Sequence, residues 1–550
     1  MVKIISTSTE KQYFSEAKQI FLGALCWSIA VYIVIRHSGA LPGSDVYFHI
    51  QIAEIMKSHG VIFENFPWTT HSVWNNGFFD KDWLFHVYLI PFLTLGKIAG
   101  AKAALLTIVF LIGLAWGVLF KALKCKYIFI ALLFTLFCSG YAFSGRLVLL
   151  RAHLFSLFFI AVCLICIIKT WYLSLTAATI LYSLSYTGSW QIIPIALLFD
   201  IVRFFQKNIS DRNYRYCTIW PILGIFIGII INPYYPANIS GGILQNITVL
   251  KSSWLGTSDA NIVLGEELYA VSLKKLYTIY LPVLIILFIT VYRCINSKKK
   301  QEINYTAAIP LGLLSFIYLI LTLLTVKFTD YLIPFTIAFA VSVWNINLPF
   351  TGKKSFFLYI ILFLLILFGF YSIAKLREDT FQTHPRYYGA VEWLNKNIRH
   401  QGQTNNNDKK LNALNPYTKA YTPEQTIFTG EWSDTPALFY GSPHFKYLVF
   451  LDPNFMYAYS PEKYKLWKKI SDGKVLFPAV RIHNDFNSKI VFLSKHKSRL
   501  FYALKNSLYA KHMYTGPDDE SIFIISIPSH IQEQIKSFDI KQKNLREQIK

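Results

Sequence analysis

The sequence predicts a polytopic α-helical membrane protein of about eleven transmembrane helices, followed by a C-terminal extracytoplasmic mixed α/β domain. Three observations lead there. Of 550 residues, 54% are hydrophobic, 17% aromatic and only 15% charged, with a mean hydropathy of +0.38; soluble domains carry about a quarter charged residues. Apolar runs near the ~20 residues that a spanning helix needs recur along the first 374 positions. The 54 Lys and Arg exceed the 31 Asp and Glu to give a formal charge of +23. Much of that excess sits in short clusters between the apolar runs, as orientation in a membrane requires; nucleic-acid binding would gather it on one polar face. The aromatic content excludes disorder, and the absence of a repeat excludes a collagen-like or coiled-coil chain.

In chain order, the apolar runs fall at 19–36, 104–120, 127–143, 154–169, 171–187, 190–205, 218–232, 276–293, 306–326, 331–347 and 355–374. The first follows Lys3, Lys11 and Lys18 and lacks a small-residue cleavage site, so it reads as a retained span. A long loop, 37–82, follows it. The next apolar stretch, Trp83–Gly96, is short and broken by Pro91 and is read as a half-embedded helix. With that choice the N-terminus, Lys121/Lys124/Lys126, Lys169, Arg203–Arg215, Arg293 with Lys298–Lys300, and Lys353/Lys354 all fall on the cytoplasmic side, as the positive-inside rule demands. An odd number of spans from an inside N-terminus leaves everything after residue 375 outside.

That last part differs in character. Residues 375–550 hold 26 basic and 17 acidic residues, with Gly, Asn and Pro punctuation and short β-like runs at Tyr447–Leu451, Lys489–Leu493 and Ser521–Ile527. Helical pieces fit Tyr387–Ile398 and Tyr464–Ile470. The division is therefore 1–374 for the membrane domain and 375–550 for the globular one, which is long enough to bury its own core. All seven cysteines lie at or before Cys294, which rules out a disulfide framework beyond it. Cys163 and Cys166 have C-x-x-C spacing but stand inside an apolar run and read as packing thiols.

Ionisable groups beside the outer membrane surface carry the functional signal. In the first loop, Pro42-Gly43-Ser44 breaks the chain before a short helix. Asp45 opens that helix and His49 follows one turn later on the same face; Asp80, Asp82 and His86 close the loop. Asp45 is either a helix cap or a working carboxylate. Arg146, Arg151 and His153 join the third and fourth spans on the outer side. They oppose the positive-inside trend and suit a lipid phosphate, with snorkelling to the interface as the alternative. Lys327 and Asp330 stand between two later spans, as an internal pair or as ligand-binding groups. The loop 233–275 adds Asp259, Glu266 and Glu267, and loops of that length are usually functional.

This pattern resembles the GT-C superfamily of membrane glycosyltransferases, with oligosaccharyltransferase catalytic subunits and dolichyl-phosphate-mannose protein mannosyltransferases as relatives. Asp45-Val-Tyr47-Phe-His49-Ile-Gln51, followed by His59-Gly60, is similar to a D-x-Y-x-H-x-R stretch with Gln51 in place of Arg. Arg151-Ala-His153 looks like R-P-H, Asn232-Pro233-Tyr234 like N-P-Y, and Lys327-Phe-Thr-Asp330-Tyr331 like R-F-x-E-Y. Trp393-Leu-Asn-Lys-Asn397 and Glu431-Trp432-Ser433-Asp434-Thr435 resemble W-L-x-x-N and W-W-D-Y-G, the latter without its first Trp, its Tyr and its Gly.

The resemblance implies transfer of a sugar from a polyprenyl-phosphate-linked donor to an acceptor on the outer face of the membrane, within the cell envelope. Asp45 would be the general base or the carboxylate organising a divalent cation, Mg or Mn, with His49, Asp80 and Asp82 orienting it. Arg146, Arg151, His153 and Lys327 would bind the donor phosphate, and Glu266, Glu267, Trp432 and Asp434 the acceptor. Lys-, Ile-, Asn- and Phe-rich usage favours a bacterial inner membrane with a periplasmic C-terminal domain. No H-E-x-x-H, G-x-S-x-G or P-loop occurs, so zinc or serine hydrolysis and ATP-driven transport gain no support. Two alternatives stay open: a non-enzymatic transporter or flippase of lipid-linked saccharides, for which Asp200 is nearly the only acid deep in a span, and a degenerate GT-C scaffold of an envelope complex.

Overall fold

A computed structural model describes residues 2–206, 216–244, 246, 265–296, 304–344, 353–398, 425–529 and 531. The chain forms two compact units. One takes in Met1–Val46, Phe79–Ser258 and Val263–Thr383, the other Tyr47–Phe78, Asp259–Ile262 and His384–Lys550. The long C-terminal segment of the second unit begins at His384, four residues after the preceding helix ends at Thr380. Most of the first loop is counted with the second unit.

The first unit is helical. Its elements are α1 (Val2–Ile35), the start of α2 (Asp45–His59), α3 (Trp83–Leu89), α4 (Lys97–Ala122), α5 (Ile128–Phe137), α6 (Tyr141–Leu147), α7 (His153–Lys169), α8 (Tyr172–Ser185), α9 (Ile192–Phe205), α10 (Ile219–Ile231), α11 (Ala237–Ile243), α12 (Leu281–Asn296), α13 (Tyr305–Leu324), α14 (Thr329–Val343) and α15 (Lys353–Thr380). Among the described residues, six segments are long and apolar enough to cross a membrane: Ser15–Ile35, Lys97–Ala122, Thr187–Phe205, Leu273–Asn296, Tyr305–Leu324 and Val326–Val343. A seventh is added if α5 and α6, bent by 93°, count as one broken span. The bend sits at Gly140, whose φ of 58° a side chain would resist. The runs expected at 154–169, 171–187 and 218–232 form helices of 17, 14 and 13 residues, each below the ~20 that a perpendicular crossing takes.

Apolar side chains point outward along these helices: Leu281, Ile285, Phe288, Ile289 and Ile295 of α12 are all exposed, as a surface against lipid requires. Small residues let helices approach. On α4, a Cβ at Gly113 would lie 2.7 Å from Ala24 Cα of α1, and one at Gly117 would lie 2.9 Å from Ile20 Cγ2. On α10, Gly224 and Gly228 meet Thr176, Thr179, Ile180 and Ser183 of α8 in the same way. Both are small-xxx-small seams. Two buried indoles of these helices are satisfied, Trp27 donating to Leu132 O (3.0 Å) and Trp116 to Leu157 O (3.1 Å).

Two polar features lie within this apolar frame. Asp200 accepts from the backbone N–H groups of Cys217 and Thr218 at 3.0 and 2.9 Å and from the Thr218 hydroxyl at 2.6 Å. It thereby satisfies donors at the start of α10. Gln191 donates to Ser156, Tyr182 and Tyr331 (3.0, 2.7 and 3.1 Å) and accepts from Tyr318 (3.0 Å), tying α7, α8, α13 and α14 together.

In the second unit a five-stranded sheet has the order β2-β1-β3-β5-β4, with β1 (Gln425–Thr429), β2 (Phe445–Tyr447), β3 (Ser488–Leu493), β4 (Ala510–Thr515) and β5 (Ser521–Ile525). β2, β1 and β3 run parallel, while β5 pairs antiparallel with β3 and β4. Residues Ile427, Phe428, Val491, Phe492, Ile522 and Phe523 are buried, which fits strands covered on both faces. The first loop extends this sheet. Thr69 bridges Tyr447 in parallel, Tyr447 N–H donates to Trp68 O (2.7 Å), and the Trp68 indole donates to Pro443 O (2.7 Å). Phe66 packs against Trp68, Trp74, Phe439 and Phe450 with ring centres 4.8–6.0 Å apart. Residues 399–424, with their Asn-rich stretch, lie outside the described residues.

Candidate active site

Asp45 is the first residue of α2, and Gly43 explains its setting. Gly43 has φ +92°, and a Cβ there would lie 3.3 Å from Leu149 Cδ2 and 3.7 Å from an Arg151 guanidinium nitrogen. Glycine thus permits both the turn and the approach of Arg151. The Asp45 carboxylate lies 3.4 Å from Arg151 Nε and accepts from the Ser44 hydroxyl at 3.1 Å. Among the described residues it takes no bond from a backbone N–H of α2. One quarter of its side chain is exposed.

Arg151 is the second link of a charge chain. Its Nη1 donates to Glu267 Oε2 at 3.1 Å, and Arg146 Nη1 donates to the same oxygen at 2.7 Å. Arg146 then grips Asp330 with two parallel bonds, Nε to Oδ1 (2.7 Å) and Nη2 to Oδ2 (3.1 Å). The order is Asp45–Arg151–Glu267–Arg146–Asp330. Local structure fixes each member. Arg146 closes α6, Arg151 precedes α7, and Asp330 lies in the first turn of α14. Glu267 sits in a 3-10 turn, Glu266–Leu268, that is held in place because Val326 N–H donates to Tyr269 O and Val271 N–H to Leu323 O (3.0 and 3.2 Å). Burial works against the Glu267 carboxylate, but Arg146, Arg151 and Lys327 outweigh it and hold it ionised well below the usual range.

Asp330 is therefore paired with Arg146 and not with Lys327. Lys327 stands in the preceding 3-10 turn, Val326–Phe328, with its ammonium 6.0 Å from the centre of the Tyr186 ring. His153 Nε2 bonds the Arg146 carbonyl at 3.1 Å, bracing the turn between α6 and α7.

A second acidic group stands at the start of α3. Asp80 Oδ2 lies 2.6 Å from His86 Nδ1, and Asp80 Oδ1 accepts from the Asp82 N–H at 3.0 Å. Asp82 is buried, with Lys81 at 3.7 Å from Oδ2 and no hydrogen-bond partner for Oδ1 among the described residues. Burial pushes its carboxyl up, against the pull of Lys81, His86 and Lys327. Lys327 thus acts on both Asp82 and Glu267.

The remaining expected residues stand elsewhere. His49, one turn beyond Asp45 on α2, is buried and counted with the second unit. Trp432 and Asp434 also belong to that unit, in a 3-10 turn after β1. Asp434 is buried, accepts from the Tyr387 hydroxyl at 2.6 Å, and is pushed up to about 6 by burial. The side chain of Glu266 and all of Asp259 lie outside the described residues. Among the described residues, no group of three or more His, Cys, Asp or Glu has the geometry to hold a metal ion. The Asp45 carboxylate faces a guanidinium instead, so these residues do not fit a divalent cation. Tyr186 was not marked by the sequence; a neutral aromatic among apolar residues gives no charge signal, and only the Tyr186-Thr187-Gly188 break between helices pointed to it.

No family model matches the sequence, and no curated protein matches it. Solved structures do. The apo crystal structure of the Archaeoglobus fulgidus oligosaccharyltransferase aligns with a TM-score of 0.55 at 13% identity, over 94% of this chain and 75% of that one. The same enzyme tethered to an acceptor peptide with the NVT sequon gives 0.54 at 13%, with the same coverage. The archaeal oligosaccharyltransferase AglB from that organism, in complex with an inhibitory peptide and a dolichol-phosphate, gives 0.53 at 12%, again over 94% and 75%. At these identities the likeness is one of fold alone, and it joins the six or seven described segments long and apolar enough to cross a membrane in making this chain an integral membrane protein.

Proposed function

We propose that the protein is a membrane glycosyltransferase that moves a sugar from a polyprenyl-phosphate-linked donor to an acceptor on the outer face of a bacterial inner membrane. The observation that carries this reading is the Asp45–Arg151–Glu267–Arg146–Asp330 chain, which joins a partly exposed carboxylate just beyond the first span to arginines at the same level. Two further points support it. Asp45, Asp82, Arg146, Glu267 and Lys327 are all outer residues under the eleven-span topology, in which the shorter helices α7, α8 and α10 also cross and the second unit is periplasmic. The fold is that of a protein solved with a dolichol-phosphate.

In this mechanism the acceptor's X–H attacks the anomeric carbon as the bond from that carbon to the phosphate oxygen breaks. Asp45 takes the acceptor proton, oriented by Arg151. The phosphate leaves with the bonding electron pair, and Lys327 and the two arginines supply positive potential against its added charge. Glu266, Trp432 and Asp434 remain candidates for the acceptor side. The flippase reading would favour charges midway through spans, and Asp200, nearly the only acid expected there, is bonded to the start of α10.

The test is transfer of radiolabelled lipid-linked sugar in isolated membranes. Asn caps a helix as well as Asp, so Asp45→Asn separates a capping role from catalysis. Loss of general-base assistance costs roughly 10²–10⁴-fold, and full transfer by this variant would overturn the assignment.

A further inference from the structure

We propose that the turn 474–477 of the second unit is a membrane-surface anchor, which inserts Leu476 and Phe477 among the headgroups of an anionic bilayer independently of the reaction the protein performs. The charge pattern of the sequence marks the place. Residues 463–505 hold 11 basic and 2 acidic side chains, which leaves the rest of 375–550 balanced at 15 of each. Both acids are already shared between cations, Asp472 by Lys468 and Lys474 (2.6 and 3.3 Å) and Asp485 by Arg481 and Lys463 (2.9 and 3.9 Å). The whole positive excess of the C-terminal part therefore lies in this one stretch.

A single exposed apolar side chain is ordinary, but here two stand together. Leu476 is 84% exposed and Phe477 72%, in the turn between the helices Pro461–Ser471 and Pro478–Phe486. The turn is fixed at both ends. Before it, Gly473 N–H donates to Ile470 O and Lys474 N–H to Lys469 O, both at 2.9 Å. After it, the Phe477 carbonyl accepts from the Val480 and Arg481 N–H groups at 3.1 and 3.3 Å, and Pro478 and Ala479 are buried. Phe477 itself holds φ +50° and ψ 58°, a left-handed state unfavourable for a bulky residue, and in water its ring gains no burial in return. Cations flank the exposed pair. Lys474 is exposed in the turn, and a Cβ at Gly473 would lie 2.6 Å from Arg499 Cβ of the helix Ser498–Lys505. Arg499, Tyr502 and Lys505 are exposed along one face of that helix. Large apolar side chains ringed by Lys, Arg and Tyr suit a lipid interface, whereas a soluble polyanion would leave Leu476 and Phe477 without a role. The chain also keeps a bilayer within reach, since α15 ends four residues before His384.

The probe is a nanodisc of phosphatidylcholine and phosphatidylglycerol in equal parts, holding the full chain, with phosphatidylcholine alone as the uncharged control. Lys474 reports the contact through its rate of acetylation, read by mass spectrometry. Anionic discs should slow that rate about fivefold relative to uncharged ones, the effect of one cation held at the surface. Salt at about 1 M, where the screening length falls to about 3 Å, should restore it. The double variants Leu476→Ser/Phe477→Ser and Lys469→Glu/Arg499→Glu should each abolish the slowing and keep the wild-type thermal midpoint, since all four side chains are exposed. Equal labelling of Lys474 in the two kinds of disc, or a slowing that survives the serine pair, would overturn the proposal. So would a slowing in detergent that grows with protein concentration, because a second copy of the chain would then cover the turn.

Discussion

The Arg146–Asp330 pair offers the sharpest test of how the site is built. Asp330 is 1% exposed and Arg146 11%, with two parallel bonds of 2.7 and 3.1 Å between them. At an effective dielectric of about 20, two charges roughly 3–4 Å apart attract by about 4–5 kcal/mol. Desolvation offsets much of that gain while both partners are present. It does not when one is removed, because the survivor stays buried. Asp330→Asn is nearly isosteric and leaves Arg146 with Glu267 alone, so a loss of about 3 kcal/mol is expected. Thermal unfolding of the full chain in detergent, followed by tryptophan fluorescence, should show a clear fall in midpoint. The double variant Arg146→Met/Asp330→Leu removes both charges together. Its cost should fall short of the sum of the two single changes by about 2 kcal/mol, the coupling expected of a contacting pair. Asp330→Asn unfolding like wild type, or strict additivity in the cycle, would refute the reasoning.

In the second unit, burial raises Asp434 from 3.8 to about 6, so the folded state takes up a proton between those values that the unfolded chain does not. Stability should decline by about 3 kcal/mol as pH rises from 4 to above 6, and Asp434→Asn should flatten that slope in unfolding measured across pH; an unchanged slope would contradict the assignment. Gln191→Leu leaves the Tyr318 hydroxyl without its acceptor and removes a donor from Ser156, Tyr182 and Tyr331, which still bond one another through Ser156, and a loss of about 1–3 kcal/mol is expected from the buried group left without a partner. Unfolding in detergent within 0.5 kcal/mol of wild type (roughly the scatter of surface changes) would mean the cluster is already satisfied by water.

Much of the site could be read in the sequence as charge in the wrong place. Arg146 and Arg151 stood out because they opposed the positive-inside trend, and Asp45 because it followed the first span. Their partners were hidden, because Glu267 is 121 and 116 residues away from them and Asp330 is 184 residues from Arg146. Proximity in sequence offered Lys327 to Asp330 instead. That local pair does not form: Arg146 takes both Asp330 oxygens, while the Lys327 ammonium lies over the Tyr186 ring. One bend was hidden for a related reason. Hydropathy runs smoothly through Ser139-Gly140, since small residues do not register as polar, yet Gly140 turns the chain by 93° there. The first loop misled too. Phe66, Trp68, Trp74 and Phe78 were more aromatic than a surface loop needs, and they belong to the core of the C-terminal unit.

The charge chain also bears on how the proposed reaction balances its electrostatics. Asp45, Glu267 and Asp330 set three negative charges against Arg146 and Arg151, and Lys327 brings the described cluster to neutrality. Breaking the bond to phosphate adds one negative charge to the leaving group, and a neutral cluster has no positive potential to spare for it. Proton transfer to Asp45 changes that. Once Asp45 is neutral, Arg151 loses one of its two anionic partners, and its charge adds to that of Lys327 in the field at the phosphate. Base and leaving-group stabilisation are then one event relayed through Arg151, with the 3.4 Å contact between Arg151 Nε and Asp45 as the link. Arg151→Gln should accordingly depress the rate of transfer more than it weakens the binding of the donor, because its charge is released only as Asp45 accepts the proton. Single-turnover transfer measured alongside donor affinity tests this directly. An equal loss in both would mean that Arg151 acts on the ground state, and that the carboxylate and the phosphate are served independently.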